Sequence, residues 1–174
     1  MYYNIYYTIY YNIHILYSMN MKNNVIKDQF ILFMVMFIIA LVLDPMNIMI
    51  YSLDDYSISK PLIFSSLYMA STMIWAHQIV HVLQRGIDHF NTMIFFSGLF
   101  LSLLFMYILR TQLFFNSTDW LKGMIPHHSV AITTTKKLLE KVSGDENENS
   151  YIYRLAKDIV YNQEREIIFM KNMI

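Results

Sequence analysis

Two adjacent histidines with a methionine one helical turn before them are the side chains best suited to chemistry. His127 and His128 follow Pro126 in the stretch WLKGMIPHHSVAI, which also contains Met124. Imidazole nitrogens bind copper, zinc, iron and nickel, and a thioether sulfur shifts the preference toward soft ions such as Cu(I). Pro126, with Gly123 nearby, is expected to bend or restart the helix beside the histidines.

The segments on either side of the polar stretch SGDENENS predict two helices. Residues 118–142 and 150–174 both place apolar side chains three or four positions apart, which is the spacing of one helical face. Ser150 is a suitable N-cap for the second helix. Two helices joined by a short loop predict an antiparallel αα-hairpin over residues 117–174.

The polar residues on the apolar face of the second helix are expected to lie opposite the two histidines. An antiparallel fold of the two segments brings together six candidate metal ligands, which are Met124, His127, His128, Gln163, Glu166 and Met170. Imidazoles and thioethers together favour Cu(I), whereas the Glu166 carboxylate favours a harder divalent ion. Two alternatives remain open: a metal-free buried cluster in which histidine bonds Glu166 or Gln163, and a histidine acting as catalytic acid–base.

The composition indicates a membrane protein. The 174 residues are 56% hydrophobic and 15% charged, and the net charge is zero, so no basic excess is present to bind nucleic acid. Three apolar segments, 29–52, 61–83 and 91–115, approach or exceed the roughly 20 residues that a membrane-spanning helix needs. The sequence therefore predicts a membrane domain of three spans over residues 29–115, with the lipid bilayer as a partner.

Residues 1–28 form a low-complexity N-terminal segment that begins with a near-tandem YYxI repeat. The repeat lacks a basic n-region and a small-residue cleavage site, so it is a poor signal peptide. It is either an interfacial segment or low-complexity sequence that precedes a translation start at Met19 or Met21. Lys22, Lys27 and Arg85 lie on the side of the N-terminus and the 84–90 loop, which favours an N-terminus inside and a C-terminal hairpin on the non-cytoplasmic side, whereas Arg110 and Lys122 oppose this orientation.

The second apolar segment carries ionisable groups. Met69, Met73, His77 and His81 follow one another at intervals of four residues, and so share one broad helical face. Ionisable side chains within a span mark a functional site by default, and such a ladder could relay Cu(I) or protons. The alternative is a neutral histidine bonded to a neighbouring serine or to the backbone, with methionine as packing material. Asp44 and the proline after it interrupt the first segment and are expected to end or break its helix.

The C-terminal region resembles the family called domain of unknown function 305. The matching residues are Leu121, the MIPHH stretch at 124–128, Ala131, Ile132, Leu155, Ala156, Ile159, Gln163, Glu166, Ile167 and Met170. A looser similarity to members with several preceding spans rests on YMA at 68–70, Met73 and RTQ at 110–112. The family is all-helical and ferritin-like, and some members are periplasmic copper-binding proteins.

The resemblance implies Met124, His127, His128 and Met170 as copper ligands, with Gln163 and Glu166 beside or among them. The chain departs from the family at Thr134, where many members have a methionine. Two helices are also half of a four-helix bundle, so a homo-oligomer is expected to complete it.

Together these patterns predict an all-α, multi-pass membrane protein with a helical hairpin that binds a copper-like ion. The alternative function is a structural or interaction protein of the membrane whose hairpin oligomerises without metal. The chain has no cysteine, which excludes thiolate metal sites and disulfides. It shows no nucleophile–base constellation and no phosphate-binding loop, so we assign no catalytic residues and do not expect an enzyme.

Overall fold

The computed structural model describes residues 24–142 and 151–174, and the regular structure within them is entirely helical. The elements are α1 (24–42), α2 (Pro45–Ile48), a 3-10 turn (Leu53–Asp55), α3 (Lys60–Arg85), α4 (His89–Thr111), α5 (Ser117–Val142) and α6 (Tyr151–Lys171). The predicted all-α class is confirmed. The predictions on the N-terminal repeat and on the Ser150 cap lie outside the described residues.

The first apolar segment is broken where the sequence predicts a break. The Asp44 carboxylate accepts a hydrogen bond from the backbone N–H of Asn47 at 3.3 Å and caps α2. Pro45 is the first residue of α2, a position where its missing N–H costs nothing. The chain therefore ends α1 at residue 42 and starts a new short helix.

Two stretches in the described part of the chain, Asn24–Ile48 and His89–Thr111, are long and apolar enough to cross a membrane. The remaining predicted span, residues 61–83, is not among these two stretches. That segment does form a helix, α3, but its composition is less apolar than that of the other two stretches. The polar side chains of His77, Gln78 and His81 lower its hydropathy.

Helices α3 and α4 pack through small residues. Ala70 and Ser71 of α3 are completely buried, and Ser102 of α4 is buried as well. At Gly98 of α4, an added Cβ would lie 2.9 Å from Cγ2 of Ile74 and 3.1 Å from the backbone nitrogen of the following residue. The two backbones therefore approach too closely for any side chain at this position, as in helix pairs that associate within membranes.

Reciprocal hydrogen bonds fix the start of α5. The backbone N–H of Asn116 donates to Oδ2 of Asp119 at 3.1 Å, and the backbone N–H of Asp119 donates to Oδ1 of Asn116 at 2.7 Å. This arrangement has the geometry of a capping box. The helix then continues through Pro126 to Val142, so the restart predicted at the proline does not occur.

Helices α5 and α6 pack against each other around a small apolar core. Its buried members are Leu121, Ile125, Ile132, Ile167 and Met170, and Met124 and Val160 pack against them. Polar contacts flank the core, because Lys136 Nζ lies 2.8 Å from Oε1 of Glu164 and His128 approaches Glu166. We call α5 and α6 the helix pair.

Candidate metal-binding site

The two adjacent histidines lie on different sides of α5. Consecutive helical residues point about 100° apart, because a turn contains 3.6 residues. The rings are tilted by 61° with centroids 5.9 Å apart. His127 is exposed and lines a cavity toward α2 and α3, whereas His128 is half-buried and lines a cavity toward α6. Five of the six predicted ligands are therefore divided between two cavities, with Met124 and His127 in one and His128, Glu166 and Met170 in the other.

The His128 cavity has a volume of about 750 Å³ and lies between the helix pair and the end of α4. Its walls include Trp120, Leu121, His128, Glu166, Phe169, Met170 and Met173. Nδ1 of His128 lies 2.9 Å from Oε2 of Glu166, but the ring N–H direction is not aligned, and this buried nitrogen has no hydrogen-bond partner. An imidazole, a carboxylate and two thioethers thus share one cavity.

Met173 is a residue that the sequence patterns did not single out. Its backbone N–H donates to the carbonyl of Met170 at 3.1 Å, in the turn that follows α6. The turn carries both thioethers to the wall of the His128 cavity. The spacing of three residues was the available signal, but the helix ends at Lys171 and the resemblance stops at Met170.

The His127 cavity has a volume of about 390 Å³ and lies between α5, α2 and the ends of α3 and α4. Its walls include Asp44, Met46, Pro61, Leu109, Trp120, Met124 and His127. Met124 therefore lines the cavity of His127, although it also packs against the core that contains Met170. Met46, in the broken end of the first apolar segment, is a second residue that the sequence patterns did not identify.

The predicted partner Gln163 does not lie in either cavity, and the neighbouring Glu164 makes the contact with α5 instead. Thr134 is exposed, and its hydroxyl donates to carbonyl groups of its own helix. Within residues 24–142 and 151–174, no three His, Asp or Glu side chains gather into a metal-binding group. A metal ion at these cavities would therefore need thioether ligands.

A buried carboxylate attaches the helix pair to the loop between α2 and α3. Asp55 is only 4% exposed, and its Oδ1 lies 2.6 Å from Nζ of Lys171. Ser129 donates its hydroxyl to Oδ2 of Asp55 at 2.5 Å and accepts the backbone N–H of Tyr51 at 2.7 Å. These partners are far apart along the chain, so periodicity gave no signal for them.

Two further ion pairs act beside this attachment, one between α3 and α5 and one between α5 and α6. Lys60, at the start of α3, lies 2.8 Å from Asp119 of α5, and this bond, followed by the backbone hydrogen bond of Asn116, lowers the pKa of Asp119. The hydrogen bond to Glu164, followed by one to Tyr51, raises the pKa of Lys136. Both shifts favour the charged forms that hold the helix pair in place.

The histidines of α3 form a separate polar cluster. Gln29 of α1 places its amide nitrogen 3.1 Å from Nδ1 of His77, and the amide nitrogen of Gln78 lies 3.5 Å from the same atom. Nδ1 of His81 is buried without a hydrogen-bond partner, as are the amide oxygens of both glutamines. Met69 and Met73, the other members of the predicted ladder, are exposed.

Comparison with known proteins agrees with the resemblance in the C-terminal region. The family described as "Domain of unknown function (DUF305)" matches residues 114–174. A curated protein of Acanthamoeba polyphaga mimivirus, named "Uncharacterized protein L153", is 30% identical over 132 residues, which is 76% of this chain and 82% of that protein. The chain belongs to the DUF305 family. No solved structure matches it.

The DUF305 match contains α5 and α6, and both cavities draw walls from it. The 132 residues shared with the mimivirus protein exceed the length of this domain, so the similarity extends into the preceding helices. The family prediction is thereby confirmed for the C-terminal region.

Proposed function

We propose that this DUF305 protein is a multi-pass membrane protein whose helix pair, folded as an antiparallel hairpin, binds a soft metal ion of the Cu(I) type. The observation that carries the proposal is the His128 cavity. There an imidazole, next to a carboxylate, shares one cavity with two thioethers.

The exposed surfaces of the apolar helices support insertion into a bilayer. Only 6% of the first candidate span and 17% of the second are buried, whereas the core helix of a soluble protein is mostly buried. Phe30 of α1 is 64% exposed and Phe100 of α4 is 66% exposed, and water would not tolerate such continuous apolar surfaces. Helix α3 packs on α4 through small residues, and we infer that it crosses the membrane beside α4 as a third span.

The charge distribution supports an outward orientation of the helix pair. Its contacts through Asp55 and Lys60 place it at the end of α3 where that helix begins. Arg85, at the opposite end of α3, and Lys27 lie on the other side. We infer from Arg85 and Lys27, by the positive-inside rule, that their end faces the cytoplasm and the helix pair faces away from it, although Arg110 and Lys122 at the opposite end oppose this orientation.

The contact between His128 and Glu166 matches the usual environment of a metal-binding histidine. Such a histidine commonly donates one ring N–H to a carboxylate, which orients the ring and leaves the other nitrogen for the ion. A modest rotation of the exposed Glu166 side chain would align it with Nδ1 and free Nε2. The unpartnered Nδ1 of His128 is the structural sign that this polar group lacks part of its normal environment.

The thioethers favour a soft ion. Met170 and Met173 would supply two sulfur ligands to the ion, and Nε2 of His128 would supply a nitrogen ligand. Such a set suits Cu(I) better than zinc. Met173 would thereby provide the soft ligand that is absent at Thr134. The exposed His89, at the opposite end of α4, offers a control histidine that lines neither of the two cavities.

The test measures ion binding by the full chain in lipid nanodiscs. Cu(I), Ag(I) and Zn(II) are titrated in competition with a chromophoric chelator. We expect binding of Cu(I) and Ag(I) tighter than micromolar and weaker binding of Zn(II). His128→Ala should lower the Ag(I) affinity at its site by about tenfold or more, and Glu166→Gln should lower it by about 10–100-fold.

The control variant His89→Ala should bind as the unmodified chain does. Ag(I) binding that is no tighter than micromolar would contradict the proposal. An equal effect of His128→Ala and His89→Ala would also contradict it.

Exposed apolar side chains on α6 favour the second candidate function, a metal-free helix pair that oligomerises. Ile152 is 61% exposed, Leu155 is 45% exposed, and Phe169 is 66% exposed. Burial of such side chains against a second copy would be favourable by about 25 cal/mol per Å². Sedimentation of the metal-free chain in detergent tests this function, and a monomer at all concentrations would contradict it.

A further inference from the structure

The adjacent histidines cannot both face the His128 cavity, and the second imidazole has soft neighbours of its own. His127 and Met124 are three residues apart on α5, so they share one face of the helix. Met46, the second residue of α2, lines the same cavity. One imidazole and two thioethers therefore line the His127 cavity.

We propose that the His127 cavity is a second soft-metal site, with His127, Met124 and Met46 as its ligands. Two thioethers and one imidazole favour Cu(I) or Ag(I) over harder divalent ions. The Asp44 carboxylate also lines the cavity, but it is engaged as the cap of α2 through Asn47. This proposal rests on the proposed function for the identity of the ion, which is the same at both sites.

The two sites use different parts of the molecule. The His128 cavity draws its soft ligands from α6 and the turn after it, whereas the His127 cavity draws one from α2, at the end of a candidate span. Trp120 lines both cavities, so its indole forms part of the wall between them. An ion at the His127 site would thus lie between the apolar helices and the ion of the helix pair.

The distinguishing experiment titrates Ag(I) into the full chain in lipid nanodiscs. Bound silver is counted by mass spectrometry, and the fluorescence of Trp120 is followed against a Trp75→Phe background. The unmodified chain should bind two ions. Met46→Leu and His127→Ala should each weaken one of the two sites by about tenfold or more and leave the other in place.

Met49→Leu is the matched control for Met46→Leu. Met46 is 44% exposed and Met49 is 41% exposed, and both lie in the same short segment, but Met49 does not line the cavity. Met49→Leu should therefore retain two ions. Circular dichroism of each variant verifies that the helices are retained.

The outcomes separate the two sites. If the unmodified chain binds one ion and only His128→Ala removes it, the second site is wrong and the proposed function stands. If one ion binds and only His127→Ala and Met46→Leu remove it, the second site stands and the assignment to His128 is wrong. Equal binding by Met46→Leu and Met49→Leu overturns the ligand set proposed here, and the absence of bound silver overturns both proposals.

Discussion

Ser129 connects the loop between α2 and α3 to the helix pair through a single hydroxyl group. The residue is completely buried, and its hydroxyl serves both the Asp55 carboxylate and the backbone N–H of Tyr51. A buried polar group that loses its partner retains the full cost of leaving water. One small side chain therefore satisfies two groups on the loop between α2 and α3.

We predict that Ser129→Ala destabilises the protein by about 1–3 kcal/mol, because the Tyr51 N–H would be left unpaired. Thermal unfolding in detergent micelles, followed by tryptophan fluorescence, measures the change. The matched control is Thr134→Ala, whose hydroxyl bonds only to carbonyls of its own helix. Equal unfolding temperatures for the two variants would refute the role of Ser129.

We predict that the ion pair between Lys60 and Asp119 weakens at acid pH. The pKa of Asp119 is lowered below its ordinary value of 3.8, so the stabilisation is present above that pH and is lost as the pH falls through the lower, folded value. A carboxyl-carbon NMR titration should give a lower midpoint for Asp119 in the unmodified chain than in Lys60→Met. The control Lys137→Met should leave the midpoint unchanged, and a midpoint insensitive to Lys60→Met would exclude the pair as the cause.

At the scale of elements, the contact of α3 with α4 depends on the absence of a side chain at Gly98. The nearest atoms to an added Cβ include the backbone nitrogen of Trp75, which cannot move without shifting α3 itself. Trp75 also packs edge-on against Phe95, with ring centroids 6.2 Å apart. The glycine therefore fixes both the separation of the helices and the position of this aromatic pair.

We predict that Gly98→Ala destabilises the α3–α4 pair by about 1–3 kcal/mol through overpacking, even though alanine is the better helix former. Ser97→Ala is the control, since Ser97 is exposed and its hydroxyl bonds to a carbonyl of its own helix. Unfolding by denaturant in micelles measures both variants. An unchanged or increased stability of Gly98→Ala would show that the backbones separate without cost.

Helix boundaries were largely predictable from the sequence, whereas contacts between distant residues were not. The apolar segments, the break at Asp44 and the two C-terminal helices follow from local patterns. The hydropathy of α3 was overestimated, because the length of its apolar runs was given more weight than the histidines and Gln78 that interrupt them. Helical geometry predicts that the two histidines lie on different sides of α5. The positions of Met46 and Met173 in the two cavities depend instead on how separate elements pack, which sequence periodicity does not describe.

At the scale of the whole molecule, one ion pair attaches the last helix to the loop between the first helices. Asp55 is buried, and Lys171 reaches it from the end of α6 with a side chain that is 36% exposed. Removal of one partner from a buried ion pair leaves an uncompensated charge. The helix pair is thus held by two ion pairs, which Lys60 makes near the start of α5 and Lys171 makes at the end of α6.

We predict that Lys171→Met costs up to about 3 kcal/mol, less than the removal of a fully buried partner, because Lys171 keeps some contact with water. Hydrogen exchange should show faster opening of α6 in this variant. Lys137→Met, at an exposed position of α5, should leave α6 as protected as in the unmodified chain. Equal protection of α6 in both variants would exclude the ion pair as its anchor.

Asp55 and Lys171 lie 116 positions apart in the sequence, and this separation has a consequence for biosynthesis. At about 5–20 residues per second, the ribosome adds Lys171 roughly 6–23 s after Asp55. During that time α3 and α4 can associate, while Asp55 has not yet formed its ion pair with Lys171. The order of synthesis therefore allows α6 to dock only after α3 and α4 have been made, and a chain stalled before that step would carry the Asp55 carboxylate without the ammonium group of Lys171.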